Sequence, residues 1–547
     1  MPAAPSDRAV LARTWAIALL AAVPCAFLFA GYVKDDAYIA FRYARNLVDG
    51  AGLVFNPGER VEGYTDFLWV MLAAAIHPLD PGDGSVVLAF ARAVGVGSAV
   101  ALAAATTSIA RLLGARGTPL AEAWALVAGV VVATHPAVAV WSMSGLEPVP
   151  FAALVAWSVE RALAGRPTAS FRIALAAVLL RPEGHVVLGF VVLLSFLQRL
   201  ERDGPAAAAA ATARALALPL ALVVLYHAGR YAWFGSLVPN TYRVKSSGGH
   251  ASYPGFEAVL TAASLGAGPG LLLAGVFAVG VLRRRAVALL VALGLSFFAY
   301  LWWVGGDEMR YGRLVIGAWP LLAAPGAAAF VVASSLLPTG RTGRIVAAAL
   351  IAVVGIAGSG AGLAGQLALA PTLAPYQVRM DASQRALGEY LQSRLPAGSL
   401  VAYQDMGLCP YAAPDLRFLD LVGLVSKEVA DLRDREGVRL SGVESGERQA
   451  GGEARERFKA NLRDLVFERR PEAIALQAEL PEDQAPDLLA RAQDLAASDL
   501  APLCGGTFSA GLGGDPRLLA GYHLDRVFPR PPRLIFAVFL RNDIADP

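Results

Sequence analysis

Two adjacent carboxylates, Asp35 and Asp36, directly follow an apolar stretch at 11–33 and are the first residues of this sequence suited to chemistry. A charge beside hydrocarbon is costly, so it is normally paired, hydrated or functional. A helical pattern begins at these residues, and the positive end of a helix stabilises a carboxylate that caps it. One aspartate is enough for a cap. The other is therefore a candidate for acid–base catalysis.

The segment at 36–49 predicts an amphipathic helix behind these carboxylates. Its apolar residues recur at helical spacing, whereas Arg42, Arg45 and Asp49 fall off the apolar stripe. Such a pattern is typical of a helix that lies in the membrane interface. A second short helix at 66–79 is expected to lie along the surface too, because a crossing there would move later arginines to the outside.

The composition predicts an integral membrane protein. Of 547 residues, 56% are hydrophobic and 17% are charged, whereas a soluble domain is usually about a quarter charged. The net charge of +3 gives no reason to expect a nucleic-acid partner. The cysteines have no metal-ligand spacing, and a disulfide between Cys409 and Cys504 is open if the C-terminal region is extracytoplasmic.

The arginines predict the topology. Apolar stretches recur from residue 11 to 368, and placing every arginine cluster between them in the cytoplasm gives about 11 crossings. The N-terminus is then cytoplasmic and the C-terminus extracytoplasmic, in a multi-pass protein of the plasma membrane. The stretch 172–198 must cross twice, with RPEG breaking it in the middle. Such breaks are tolerated where a helix lines a protein cavity.

The remaining polar loops all fall on the extracytoplasmic side in this topology, beginning with a first loop at 34–84. Acids, bases and aromatic residues of a charge-poor chain are thus collected on one face, which indicates a site. The loops contain KDDAYIAFRYARN, VEGYTD, MSGLEP, RPEG, FGSLVPNTYRVKSSGGH and GGDEMRYGR.

The composition changes at residue 370, where charged residues become frequent and long apolar runs end. We expect a transmembrane domain at 1–369 and a soluble extracytoplasmic α/β domain at 370–547. The segments DASQRALGEYLQSRL and EARERFKANLRDLVFER predict amphipathic helices. The segments GSLVAYQ, EAIALQ and RLIFAVFL predict short buried strands.

The loop motifs together resemble a known family. DDAYIAFRYARNL, GLVFNPGERVEGYTDFLW, LLRPEG, FGSLVPNTYRVK and GGDEMRYGRL are similar to the C-type (GT-C) membrane glycosyltransferases, particularly the actinobacterial terminal β-(1→2) arabinofuranosyltransferase family. The likeness includes VAYQDMGLCPYAAPDLRFLDLVGL near the C-terminus. It implies a mainly α fold, a polytopic GT-C-like helical bundle followed by the extracytoplasmic α/β domain.

The resemblance also implies an activity. Such an enzyme moves a sugar, arabinofuranose in the nearest relatives, from a polyprenyl-phosphate donor to a cell-envelope glycan or glycolipid acceptor among membrane lipids. Asp35 or Asp36 would be the catalytic carboxylate that removes the proton of the acceptor hydroxyl. The sequence has Asp66 where the family favours an amide, which leaves the sugar open. The C-terminal domain is expected to help bind the acceptor.

Basic residues of later loops suit the phosphate of such a donor, because fixed cations stabilise the charge that develops on a leaving phosphate. Arginine also offers a bidentate grip. The alternative for each is a position among lipid headgroups, and for VEGYTD a turn. The expected substrate-binding residues are Arg42, Glu62, Tyr64, Thr65, Asn240, Tyr242, Lys245, Asp307, Arg310 and Arg313, with Arg243 as a weaker candidate.

Three further points stay open. Arg181 and Glu183 are expected to form an ion pair that holds the broken helix. Glu147 either faces the same site or caps a helix. A divalent cation held by Asp36, Asp307 and Glu308 is an alternative, although hard cations need several oxygen ligands; no other cofactor is expected.

Two rival functions follow from the same composition. A transporter or flippase of lipid-linked sugars would place polar groups near the bilayer centre in both halves of an inverted repeat, and no such repeat is visible. A non-enzymatic membrane anchor for the C-terminal domain would not need its polar loops to cluster.

Overall fold

The structure is a computed structural model that describes residues 7–114, 118–245, 253–307, 309–337, 340–438, 452–504 and 511–544. Helices form most of it. In the N-terminal part they are α1 Asp7–Phe27, α2 Ala37–Val48, α3 Phe67–Ile76, α4 Ser85–Leu113, α5 Pro119–Ala133, α6 Pro136–Ser142, α7 Pro148–Leu163, α8 Pro167–Leu180, α9 Gly184–Asp203, α10 Pro205–Phe234, α11 Asn240–Lys245, α12 Tyr253–Ser264, α13 Gly268–Leu282, α14 Arg285–Trp303, α15 Ala318–Ser334 and α16 Arg341–Leu373.

The C-terminal part combines short helices with strands. In chain order they are α17 Tyr376–Met380, α18 Ala386–Arg394, β1 Leu400–Tyr403, α19 Leu408–Ala412, β2 Arg417–Asp420, α20 Lys427–Glu436, α21 Gly452–Arg469, β3 Ala473–Glu479, α22 Ala485–Ala490, α23 Ala497–Leu500, α24 Pro516–Gly521, β4 Tyr522–Arg530 and β5 Leu534–Arg541.

Several helices can cross a membrane. Within the described residues, six are long and apolar enough to do so, and up to eight spans result if each of two bent helix pairs counts as one. The protein is thus multi-pass, but the expected count of about 11 is not confirmed. The apolar helices α3, α8 and α15 have 10–17 residues, less than the roughly 20 that a straight span needs.

The predicted break in 172–198 is present. Helix α8 ends at Leu180, and Arg181 is extended with φ −154° and ψ 147°. A residue before proline is disfavoured in the helical region, so the helix ends there. Helix α9 restarts at Gly184, where a Cβ atom would lie 2.4 Å from the backbone of Ala177. The glycine lets the two broken helices pack closely.

Helix α2 occupies the predicted segment and is enclosed by other parts of the protein. Its residues 37–46 are all buried, because the C-terminal part of the chain covers the face that carries the arginines. The guanidinium of Arg42 donates to the backbone oxygens of Phe55 (3.0 Å), Leu416 (2.7 Å), Ala413 (3.2 Å) and Pro410. The polar face is therefore an internal docking surface.

Helix α3 is short, as predicted for 66–79. Its 10 residues span about 15 Å, which is too little to cross a bilayer. Trp69 and Val70 on this helix are buried, and the indole Nε1 of Trp69 donates to the oxygen of Gly145 at 3.1 Å. The helix is thus joined to the loop before α7.

The C-terminal strands form one five-stranded sheet in the order β2-β1-β3-β5-β4. Strands β2, β1 and β3 are parallel, whereas β5 runs antiparallel to both β3 and β4. The predicted strands in GSLVAYQ, EAIALQ and RLIFAVFL are confirmed as β1, β3 and β5. Strands β2 and β4 were not expected.

The two faces of this sheet pack against different hydrophobic cores. On β5, Phe536, Val538 and Leu540 belong to a core that continues into the membrane helices. The alternate residues Ile535 and Phe539 belong to a separate core, which follows from the two-residue repeat of a strand. The sheet is therefore joined to the helical part by packing as well as by the chain. The predicted boundary after residue 369 lies in the last part of α16, and the division into two domains stays a prediction.

The sequence left open a disulfide between Cys409 and Cys504, and the structure does not contain it. Both thiols are free and buried. Cys409 lies in the core that continues into the membrane helices, whereas Cys504 lies in the core on the other side of the sheet. The sheet separates the two sulfur atoms.

Replacing Arg42 with alanine should lower the free energy of unfolding by about 3 kcal/mol, because buried carbonyl oxygens would lose a charged donor. The measurement is the midpoint of thermal unfolding in detergent. Arg457 donates to Glu436 at 3.0 Å from an exposed position, so Arg457→Ala is a control that should change stability by roughly 0–1 kcal/mol. Equal midpoints for both variants would contradict the docking role of Arg42.

Candidate active site

An open cavity with about 1090 Å³ of empty space lies where the predicted extracytoplasmic loops meet. The start of α2, the loop before α3, the break between α8 and α9, α11 and the segment after α14 each contribute to its wall. Its polar lining residues are Asp36, Tyr64, Thr65, Asp66, Glu147, Arg181, Glu183, Thr241, Tyr242, Lys245, Tyr300, Asp307 and Arg313.

Asp36 faces this cavity beside a cation. Its Oδ2 atom lies 3.5 Å from the Nζ atom of Lys245, and the two side chains are 27% and 23% exposed. Burial alone would raise the pKa of Asp36, but Lys245, Lys34 and Arg313 outweigh it and lower the pKa. The carboxylate is thus ionised at neutral pH, as a proton acceptor must be.

Asp35 has a different environment. Its Oδ2 and Oδ1 atoms accept hydrogen bonds from the backbone amides of Gly407 (3.0 Å) and Leu408 (2.8 Å) at the start of α19. A Cβ atom on residue 407 would lie 2.1 Å from the Asp35 carbonyl oxygen, so only glycine fits. Burial and the neighbouring carboxylate of Asp405 raise the pKa of Asp35 to about 7. Asp35 therefore docks the C-terminal part, while Asp36 remains in the cavity.

Arg313 supplies a second cation to the wall. Its Nε and Nη2 atoms donate to Asp307 Oδ2 and Oδ1 at 2.8 and 3.0 Å. Burial alone would lower the pKa of Arg313, but Asp307 outweighs it and raises the pKa. The guanidinium is thus held in a fixed position and stays charged next to Asp36.

A third part of the wall is mostly acidic. The predicted pair of Arg181 with Glu183 is confirmed at 2.8 Å, and Arg181 also pairs with Glu147 at 2.5 Å. Burial and the charge of Glu147 raise the pKa of Asp66 well above its usual value. A protonated carboxyl carries one donor and an acceptor, which is the hydrogen-bonding pattern of an amide. Asp66 can therefore present the groups that an amide would present at this position.

The structure brings together Asp36, Tyr64, Thr65, Tyr242, Lys245, Asp307 and Arg313 from the predicted set. Other members lie elsewhere. Arg42 contacts backbone carbonyls, as described above. Both carboxylate oxygens of Glu62 accept from Arg230, at 2.8 and 2.5 Å. Arg310 is exposed and is not among the described residues that line the cavity.

Asn240 is also outside the lining. Its Nδ2 atom donates to the oxygens of Gly423 (2.6 Å) and Leu424 (3.2 Å), and its backbone amide donates to the oxygen of Glu62 (2.8 Å). Direct substrate contacts by Arg42, Glu62, Arg310 and Asn240 therefore stay predictions. Glu62 and Asn240 connect the first loop with α10 and the C-terminal part.

The structure adds no support for the alternative of a divalent cation held by Asp36, Asp307 and Glu308. Among the residues that the structure describes, no group of three or more His, Cys, Asp or Glu side chains is placed to hold a metal ion. Asp307 is engaged by Arg313. Glu308 lies outside the described residues.

Sequence reasoning missed lining residues of two kinds. Arg181 and Glu183 were assigned to an ion pair, which is the usual role of opposite charges near lipid. Asp66 was noted only for its bearing on the sugar, and for Glu147 a place in the site was left open. Leu424, from the C-terminal part, also lines the cavity. The signal that could have found it is VAYQDMGLCPYAAPDLRFLDLVGL, whose likeness to the same family extends to this residue.

Comparisons with known proteins agree with this architecture. A family model described as a domain of unknown function, DUF8728, matches residues 372–527. A curated relative, the terminal beta-(1->2)-arabinofuranosyltransferase of Corynebacterium glutamicum, is 29% identical over 338 residues, which are 52% of this chain and 46% of the relative. The chain thus spans about half the length of the curated relative that it matches.

Solved structures extend the likeness to the whole chain. ArnT from Cupriavidus metallidurans, bound to undecaprenyl phosphate, has a TM-score of 0.54 at 13% identity and covers 99% of this chain and 100% of its own. The oligosaccharyltransferase AglB of Archaeoglobus fulgidus, with an inhibitory peptide and a dolichol-phosphate, has a TM-score of 0.53 at 12% identity and covers 98% and 74%.

At such identities the likeness to solved structures shows the fold. The resemblance predicted from the loop motifs is thus confirmed by a curated relative and by two structures of the same architecture. This chain has the fold of the C-type membrane glycosyltransferases, a mainly helical membrane bundle followed by a small mixed sheet.

Proposed function

We propose that this chain is a glycosyltransferase that moves a sugar from a polyprenyl-phosphate donor to a cell-envelope glycan or glycolipid at the extracytoplasmic face. The observation that carries the proposal is the cavity in which the ionised Asp36 lies beside Lys245 and Arg313. A general base and cations for a phosphate are the two functions that such a transfer needs.

The donor phosphate binds between Lys245 and Arg313. These cations stabilise the negative charge that grows on the phosphate oxygen as its bond to the anomeric carbon breaks. Arg313 stays in place because Asp307 holds it. Lys245 is 3.5 Å from Asp36 before the donor arrives. The bound phosphate competes with Asp36 for the positive charge of Lys245. This competition raises the pKa of Asp36 and makes the carboxylate a stronger base.

The acceptor hydroxyl loses its proton to Asp36 as its oxygen forms a bond to the anomeric carbon. Polyprenyl phosphate leaves as the anion, so the products are the extended glycan, the lipid phosphate and a protonated Asp36. We assign the proton transfer to Asp36 and not to Asp35, because Asp35 accepts from two backbone amides and is not among the described residues that line the cavity. It keeps α19 docked beside the start of α2 and thereby fixes Asp36.

The likeness to the arabinofuranosyltransferase favours arabinofuranose as the sugar. Tyr64, Thr65 and Asp66 line the cavity and offer hydroxyl and carboxyl groups for its recognition. Placing these loops outside the cytoplasm also places the C-terminal domain, residues 370–547, on the extracytoplasmic side and the N-terminus in the cytoplasm.

Replacing Asp36 with asparagine should lower kcat by about 10²–10⁴-fold, since the general base is lost. Transfer is measured with purified protein, a polyprenyl-phosphate pentose or hexose and an acceptor glycan. Asp35→Asn is the comparison variant and should mainly lower the midpoint of thermal unfolding. Unchanged turnover in Asp36→Asn protein that still folds would refute the assignment.

Replacing Lys245 with methionine should move the acid limb of the kcat/KM profile upward by about one pH unit. Lys245 lowers the pKa of Asp36, so its removal raises that pKa, and the base is ionised only at higher pH. Tyr242→Phe changes the same helix without changing charge and should leave the limb in place. A limb that does not move in Lys245→Met would show that another group titrates.

The raised pKa of the buried Asp35 predicts that the free energy of unfolding depends on pH. The pKa of about 7 in the folded protein exceeds the usual value of about 3.9, so the neutral form is favoured on folding and stability is lost as pH rises between these values. Asp405→Asn removes one cause of the shift. Its unfolding midpoint should therefore fall less between about pH 5 and about pH 8 than that of the unchanged protein; an equal fall would contradict the coupling.

A further inference from the structure

Helix α11 is held by helix α20 of the C-terminal part. Arg243 Nη2 donates to Asp431 Oδ1 at 2.7 Å, and Arg243 Nε donates to Asp434 Oδ2 at 3.0 Å. The arginine is 24% exposed and the two carboxylates are 38% and 31% exposed. One guanidinium thus bridges two carboxylates that are three residues apart on one face of α20.

The start of α11 is held as well. Asn240 donates through its side chain to Gly423 and Leu424 and through its backbone to Glu62. Leu424 itself lines the cavity. The helix is therefore fixed between the first extracytoplasmic loop and the segment that follows β2.

The two faces of α11 have separate tasks. Asn240 and Arg243 are three residues apart and contact the C-terminal part, whereas Tyr242 and Lys245, also three residues apart, line the cavity. Residues at this spacing share one face of a helix. A helix of 6 residues is not stable alone, because nucleation is unfavourable in so short a segment. Its position is set by the contacts on the Asn240 and Arg243 face.

We infer that the C-terminal domain controls the donor half of the active site through this arrangement, which we name the Arg243 clamp (Arg243, Asp431 and Asp434). The clamp positions Lys245 for the donor phosphate. This inference rests on the proposed function, and it assigns to the C-terminal domain a role in donor binding besides the expected one in acceptor binding. Arg243, Asp431 and Asp434 are positioning residues, since they act through Lys245.

The test compares Arg243→Ala with Arg417→Ala. Arg417 donates to Glu59 at 2.5 Å and also joins the C-terminal part to the first loop, but it does not contact α11. Arg243→Ala should raise the KM for the polyprenyl-phosphate sugar by about tenfold and leave the KM for the acceptor unchanged. Arg417→Ala should change neither constant. A rise confined to the acceptor KM, or equal effects of both variants, would overturn the inference.

Charge exchange provides the second variant. Arg243→Asp combined with Asp434→Arg restores one ion pair with the charges exchanged. The KM for the donor should rise in either single variant and fall part of the way back in the double variant. No recovery in folded protein would contradict the clamp. Binding of polyprenyl monophosphate, measured by displacement of a fluorescent lipid, keeps the result separate from the reaction. Weaker binding in Arg243→Ala supports the clamp even if the transfer reaction itself is not found, whereas unchanged binding overturns it.

Discussion

The structure depends on the divergence of two consecutive carboxylates. Asp35 accepts two backbone hydrogen bonds from the start of α19, and Asp36 faces a cavity that contains Lys245 and Arg313. Adjacent residues at the start of a helix leave it in different directions, so one can dock a domain while the next serves a site. Placing a carboxylate beside a membrane is energetically costly. Hydrogen bonds from backbone amides offset this cost for Asp35, and nearby cations offset it for Asp36.

Contacts of this kind also explain how the C-terminal part contributes to the candidate active site. The amides that hold Asp35, the carboxylates that hold Arg243 and three of the four carbonyls that accept from Arg42 come from residues after 400. Leu424, also from this part, lines the cavity. The loops that form the cavity are thus held by contacts with the C-terminal part, which couples the geometry of the candidate site to the folding of both parts.

Much of this arrangement is visible in the sequence. Helical spacing predicted α2, and short apolar segments predicted three buried strands. The charge bias predicted that Asp36, Lys245 and Arg313 lie on the same side of the membrane, and the structure places all three in one cavity. Partners distant in sequence could not be predicted: Asp35 and Gly407 are 372 residues apart, and no local pattern indicates that Arg42 or Glu62 is buried. The count of about 11 crossings stays a prediction for a similar reason, because charge bias does not reveal short helices or bends such as the 92° angle between α12 and α13.

Asp66 shows how environment changes the meaning of a residue type. The family resemblance predicted an amide at residue 66, and this chain has a carboxyl whose burial beside Glu147 raises its pKa. In its protonated form this carboxyl presents hydrogen-bonding groups similar to those of an amide.

The most direct measurement for the whole account is a structure of the protein with polyprenyl monophosphate. We expect the phosphate within about 5 Å of both Lys245 Nζ and the Arg313 guanidinium, on the side of the cavity that Asp36 faces. A phosphate bound outside the cavity, with these two side chains in their present contacts, would contradict the account.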